Sequence, residues 1–145
     1  MKERSILVVD DQPEMRIALT EVLQQAGYQV ETASNGKEGL DKFTKNFYPV
    51  VISDVKMPRL DGVGLLREIK KVSTSTKVIL ITAYGTIDNA VQAMKEGAFD
   101  YLLKPFPAEA LESVISRAWA FSQGNCGGEE GTSSGGKGDK TIITA

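Results

Sequence analysis

The sequence predicts an α/β fold: a doubly wound, five-stranded parallel sheet with helices on both faces. Five short β-branched or apolar runs point to it, at Ser5–Val9, Tyr28–Thr32, Val50–Ser53, Lys77–Thr82 and Phe99–Leu103. Each reads as a strand. Each is followed by a stretch with apolar residues at helical spacing, and parallel neighbours need a crossover long enough to be such a helix. The first, third and fourth runs (ILVV, VVI, VILI) are apolar without interruption, as strands covered on both faces require, whereas the second alternates like a more exposed edge.

The helices are taken in order. Pro13 opens the first, whose Met15, Leu19, Val22 and Leu23 fall on one face before Gly27 stops it, and the second runs from about Lys37 to Lys45. The third follows Asp61-Gly62 with Leu65, Leu66, Ile69 and Val72 on one stripe. The fourth follows Thr86 with Ile87, Ala90, Val91 and Met94 before Gly97. The fifth opens at Pro107 and carries Leu111, Val114, Ile115, Ala118 and Trp119. Trp119 and Phe121 read as packing or interface residues, and Lys42, Lys45, Lys70 and Lys71 as solvated helix faces.

With 145 residues, 41% hydrophobic and 25% charged, the chain has the material for one sizeable core. From Ser122 to Lys140 it reads SQGNCGGEEGTSSGGKGDK, with seven of its 14 glycines and no large apolar residue. That composition is a flexible linker. The predicted organisation is therefore a domain over 1–121, a linker over 122–140 and a short apolar segment at 141–145. A net charge of -2 gives no overall positive field for nucleic acid or an anionic membrane. No apolar run approaches the roughly 20 residues of a membrane helix, and the first residues lack a secretion signal, so a cytoplasmic location is expected. Cys126 is a lone linker thiol without a basic neighbour, and the absence of histidine removes Ser-His-Asp and Cys-His catalysis and histidine metal ligation together.

Ligands of such sheets bind beyond the carboxyl ends of the strands. At those ends stand Asp10 and Asp11 after the first strand, Asp54 after the third, Thr82 after the fourth and Lys104 after the fifth. Singly, each is explained by capping or turn chemistry; Asp11 could cap the helix that opens at Pro13. Together, three carboxylates at a partly buried edge repel one another unless a cation holds them ionised. A hard divalent ion with oxygen ligands, most naturally Mg²⁺, supplies that cation, and Lys104 adds a second positive charge. A carboxylate nucleophile, a metal and donors for phosphoryl oxygens are the parts of phosphoryl transfer. Asp54 stands alone on a central strand and is the expected nucleophile. No nucleotide-binding glycine loop is present, so the phosphoryl group must come from a donor on another molecule.

Ile6-Leu7-Val8-Val9-Asp10-Asp11, Asp54 followed by Met57-Pro58-Arg59-Leu60-Asp61-Gly62, Thr82-Ala83 and Lys104-Pro105-Phe106 resemble the receiver domain of bacterial two-component response regulators. The resemblance covers about residues 3–121. It implies a flavodoxin-like strand order, 2-1-3-4-5, and phosphorylation of Asp54 from a histidine of a sensor kinase. It further implies Mg²⁺ held by Asp11, Asp54 and the backbone carbonyl of Lys56, with Asp10 acting through water. Lys104 contacts the phosphoryl group and precedes a cis proline bond, Thr82 and Tyr101 form a switch pair, and Lys56 and Tyr84 are positions that set phosphate lifetime. Such a domain catalyses nothing beyond its own phosphorylation and dephosphorylation.

The stretch from Ala83 to Tyr101 is similar to receivers of NtrC-like sigma-54-dependent activators, which carry an AAA+ ATPase domain downstream, and Thr141–Ala145 resembles the start of that domain. A receiver with another output, or none, is the alternative. A homodimer through the fourth helix, fifth strand and fifth helix is expected, with Ala118, Trp119 and Phe121 extending toward the partner. A phosphatase with an aspartate nucleophile would carry D-x-D after the first strand, where this chain has Asp10-Asp11-Gln12. A flavodoxin-type cofactor module would need a phosphate loop there, which two carboxylates would repel.

Overall fold

In the computed structural model, which describes residues 5–57, 59–83 and 87–122, strands and helices alternate strictly. They are β1 (Ser5–Val9), α1 (Pro13–Gln25), β2 (Gln29–Ala33), α2 (Gly36–Lys45), β3 (Val50–Asp54), α3 (Gly62–Val72), β4 (Lys77–Thr82), α4 (Ile87–Lys95), β5 (Asp100–Leu103) and α5 (Ala108–Ser122). Residues 123–145, with the linker, Cys126 and the segment 141–145, lie outside the described residues, as do Tyr84 and the side chains of Phe121 and Ser122.

All strand pairs are parallel and the order is β2-β1-β3-β4-β5. The uninterrupted apolar runs are the three central strands, each with both faces covered. Leu7, Val9, Val51, Val78 and Leu80 pack on one side with Phe43, Leu65, Leu66 and Ile69 of α2 and α3. Ile6, Val8, Ile52, Ile79 and Ile81 pack on the other with Leu19, Leu23, Leu111 and Ile115 of α1 and α5. The alternating β2 is an edge strand.

Several boundaries move by one residue, for local reasons. β2 starts at Gln29 because the Tyr28 N–H closes the end of α1 by bonding the Leu23 carbonyl, past Gly27 at φ 97°. α2 starts at Gly36, capped by Asn35. β3 extends to Asp54, β5 begins at Asp100, and α5 begins at Ala108, with the Pro107 carbonyl accepting from Ala110. α5 also includes Ser122, which the sequence places in the linker.

Two expectations fail. Ala118 is fully buried and so unable to extend toward a partner, while the half-buried Trp119 packs edge-on against Tyr28 with ring centroids 5.8 Å apart, as a packing residue would. Lys70 is not a solvated charge: its Nζ donates to the carbonyls of Thr74 and Thr76, and burial pulls its pKa down.

Candidate functional site

The sheet register assembles the rim. Val9 pairs with Ser53, so Asp10 and Asp54 emerge side by side from the adjacent β1 and β3. Thr82 pairs with Leu103, and the Lys104 N–H donates to the Thr82 carbonyl at 2.8 Å, which seats the lysine just past the end of β5. The Lys104–Pro105 peptide bond is cis. Asp10, Asp54 and Thr82 are buried while Asp11 is exposed.

Carboxylate oxygens of Asp10, Asp11 and Asp54 lie within 4.8 Å of one another. Lys104 Nζ bridges two of them, at 3.3 Å from Asp10 Oδ2 and 3.4 Å from Asp54 Oδ2. One ammonium against three carboxylates leaves the cluster negative. Burial pushes the Asp54 carboxyl above its usual range and the neighbouring Asp10 pushes it further; the opposing pull of Lys104 does not overcome them. Three hard oxygen donors with a residual negative charge fit a small divalent cation such as Mg²⁺.

The backbone around Asp54 is closely built. Gly62 N donates to the Val55 carbonyl at 2.8 Å, folding the loop after β3 back beneath the site. A Cβ at Gly62 would stand 2.3 Å from the Asp54 carbonyl oxygen, so only glycine permits this approach. The buried Ser53 hydroxyl donates to that same carbonyl. Asp61 caps α3 by accepting from Gly64 N at 2.8 Å.

The alternative role for Asp11 does not hold, since the N-cap of α1 is Gln12 and it makes no side-chain cap bond. Asp10 Oδ1 instead accepts from Gln12 N, and the Asp10 carbonyl accepts from Arg16 Nη1 at 2.6 Å. Arg16 and Gly62 were not visible as site residues from the sequence. For Arg16 the available signal was a cation one helical turn beyond an acidic pair.

Lys56 and Tyr101 line a cavity of about 440 Å³ beside the rim, together with Met57, Asp61, Asn89 and Gln92. The Tyr101 ring packs against the α2 and α3 side of the core. Its Oη is buried, has no hydrogen-bond partner among the described residues, and is pushed up in pKa by burial. Thr82 continues the β4 face that holds Val78 and Leu80, the same side of the sheet as Tyr101.

The sequence model of the response regulator receiver domain matches residues 6–116. The chain belongs to that family. Among its relatives, the transcriptional regulatory protein DctD for C4-dicarboxylate transport, from Pseudomonas aeruginosa, is 40% identical over 116 residues, covering 80% of this chain and 25% of DctD. Sporulation initiation phosphotransferase F of Bacillus subtilis is 36% identical over 117 residues, 81% of this chain and 94% of that protein. A receiver domain structure from Clostridium thermocellum superposes with a TM-score of 0.78 at 45% identity, covering 82% of this chain and 96% of the other. The chain spans about a quarter of the length of the transcriptional regulators AtoC, ZraR and DctD that it matches. Among its described residues no helix is long and apolar enough to cross a membrane.

Proposed function

We propose that this receiver takes a phosphoryl group onto Asp54 from a phosphohistidine of a sensor kinase and passes the event to an attached output. The observation that carries the reading is the placement of a buried carboxylate on a central strand, inside a three-carboxylate cluster and 3.4 Å from a lysine. An Asp54 oxygen attacks phosphorus, the P–N bond to the histidine breaks with its electron pair returning to the imidazole, and an acyl phosphate results. Asp11, Asp54 and the Lys56 carbonyl would hold a Mg²⁺ ion, with Asp10 assisting through water, and such an ion would supply positive charge to the phosphoryl oxygens and to the carboxylates. The Lys104 ammonium, already between Asp10 and Asp54, pairs with a phosphoryl oxygen.

A phosphoryl group on Asp54 brings charge and acceptor oxygens next to Thr82. The hydroxyl turns onto one of them and Tyr101 moves into the space released, repacking the α4, β5 and α5 side. The receiver comprises residues 1–121, with its last helix running on to Ser122, and a linker to residue 140 joins it to an NtrC-like ATPase output that begins near Thr141. The kinship with DctD supports that output. The second reading, a receiver that works alone, is favoured by phosphotransferase F, which this chain covers almost end to end.

Incubation with a small acyl phosphate and Mg²⁺ should add one phosphoryl mass to the protein. Asp54→Asn should add none. Full labelling of Asp54→Asn, or labelling undiminished by chelator, would remove the mechanism; intact-mass spectrometry decides it.

A further inference from the structure

Arg16 stands one turn into α1, half-buried, with its guanidinium directed back across the turn to the Asp10 carbonyl, 2.6 Å from Nη1. A bond from an ionised donor is shorter and stronger than a neutral one. The oxygen it holds belongs to the peptide plane that joins Asp10 to Asp11. Fixing that oxygen fixes the rotation of a rigid plane, and so the direction in which the Asp11 side chain leaves the backbone. The other polar groups of Asp10 are engaged as well: its N–H donates to the Ala33 carbonyl at 3.1 Å, Oδ1 accepts from Gln12 N at 2.9 Å, and Oδ2 faces Lys104 at 3.3 Å. Asp11 is exposed, so its aim is set by the backbone that carries it and not by packing around its carboxylate. α1 opens without a side-chain cap, which leaves the guanidinium as a tie between the helix and the acidic turn.

We propose that Arg16 is a positioning residue of the metal site: its bond to the Asp10 carbonyl holds the Asp10–Asp11 peptide so that the Asp11 carboxylate meets those of Asp10 and Asp54 around a divalent cation. The inference rests on the Mg²⁺ reading above. It makes a prediction opposite in sign to simple electrostatics. A guanidinium near a cation site repels the incoming ion, so removing it should tighten binding if charge alone acted. If its role is positional, removing it loosens binding, and loss of an outer partner of a metal ligand typically weakens affinity by about 10- to 100-fold.

The test is a titration of the 145-residue protein with Mn²⁺, following the paramagnetic resonance signal of the free ion, for wild type, Arg16→Met and Arg16→Lys. Arg16→Met should bind about tenfold more weakly or worse. Arg16→Lys, which restores a charged donor of similar reach, should recover most of the loss. The amide resonance of Asp11 should already be displaced in Arg16→Met before any ion is added. A folded Arg16→Met that binds Mn²⁺ as tightly as wild type, or more tightly, overturns the proposal. Should that variant fail to fold, Arg16→Gln, neutral and too short to span the turn, carries the same expectation and the same refutation. Failure of the underlying metal reading looks different: wild type itself would not bind Mn²⁺, or Asp54→Asn would bind it equally well.

Discussion

At the scale of single residues, Asp54 works against the fold that carries it. Its carboxyl sits above the usual range because burial and Asp10 disfavour the ionised form. For an acid whose folded pKa is raised, ionisation subtracts stability once the pH passes the unfolded value, so the protein at neutral pH carries that penalty. Asp54→Asn keeps the shape, removes the charge, and leaves Lys104 paired with Asp10. In chelator the variant should melt higher than wild type by roughly 2–5 °C, while Mg²⁺ should raise the melting temperature of wild type more than that of the variant. A variant that melts lower in chelator would show that the Asp54–Lys104 pair outweighs the burial. The positions of Asp10, Asp11, Asp54, Thr82 and Lys104 were legible because each ends an apolar run or stands within two residues of its end. Arg16 and Gly62 were not, because the atoms they serve are backbone carbonyls, of Asp10 and Asp54, whose positions depend on how the chain folds back.

At the scale of elements, α2 shows how local chemistry sets a boundary that apolar spacing alone blurs. Asn35 Oδ1 accepts from Glu38 N at 2.8 Å, and Glu38 Oε1 accepts from the N–H and hydroxyl of Ser34 at 2.8 and 2.7 Å. This reciprocal cap fixes the start at Gly36, which apolar periodicity placed at Lys37. The Ser34 backbone bond, then its hydroxyl, hold the Glu38 carboxyl below its ordinary value. A depressed folded pKa contributes stability above the unfolded value, near 4.5, and loses it as the pH falls through the folded one. Asn35→Ala should therefore cost about 1 kcal/mol at neutral pH. Glu38→Gln should destabilise less, with a difference from wild type that shrinks below about pH 4.5. Denaturant midpoints at pH 7 and pH 3.5 check both; a Glu38→Gln deficit of equal size at the two pH values would remove the carboxylate from the cap.

At the scale of the whole molecule, the arrangement of apolar surface decides where another chain can dock, and so where the proposed phosphoryl event would be read. The stripe Leu111, Ile115 and Ala118 of α5, which sequence spacing allows to face outward in part, is consumed by the core. Spacing reveals that a helix has an apolar face but not which neighbour covers it, and here α1 and the sheet do. Among the described residues, the large apolar side chains left exposed on the α4 and β5 side are Val91 at 47%, Met94 at 48% and Leu103 at 52%. These lie on the flank where Tyr101 also sits, so a repacking of that ring would change the surface they form. Exposed apolar side chains on one flank are the kind of surface through which proteins pair. If receivers pair through it, sedimentation of residues 1–145 should show a monomer–dimer equilibrium shifted toward dimer by beryllofluoride and Mg²⁺. Met94→Glu should weaken the dimer about tenfold or more without touching acceptance at Asp54, since burying an unpaired carboxylate at an interface costs well over the 1.4 kcal/mol that a factor of ten represents. A monomer at every concentration in both states would instead assign the flank to a different partner, as the stand-alone reading requires. A dimer indifferent to Met94→Glu would move the interface off this face.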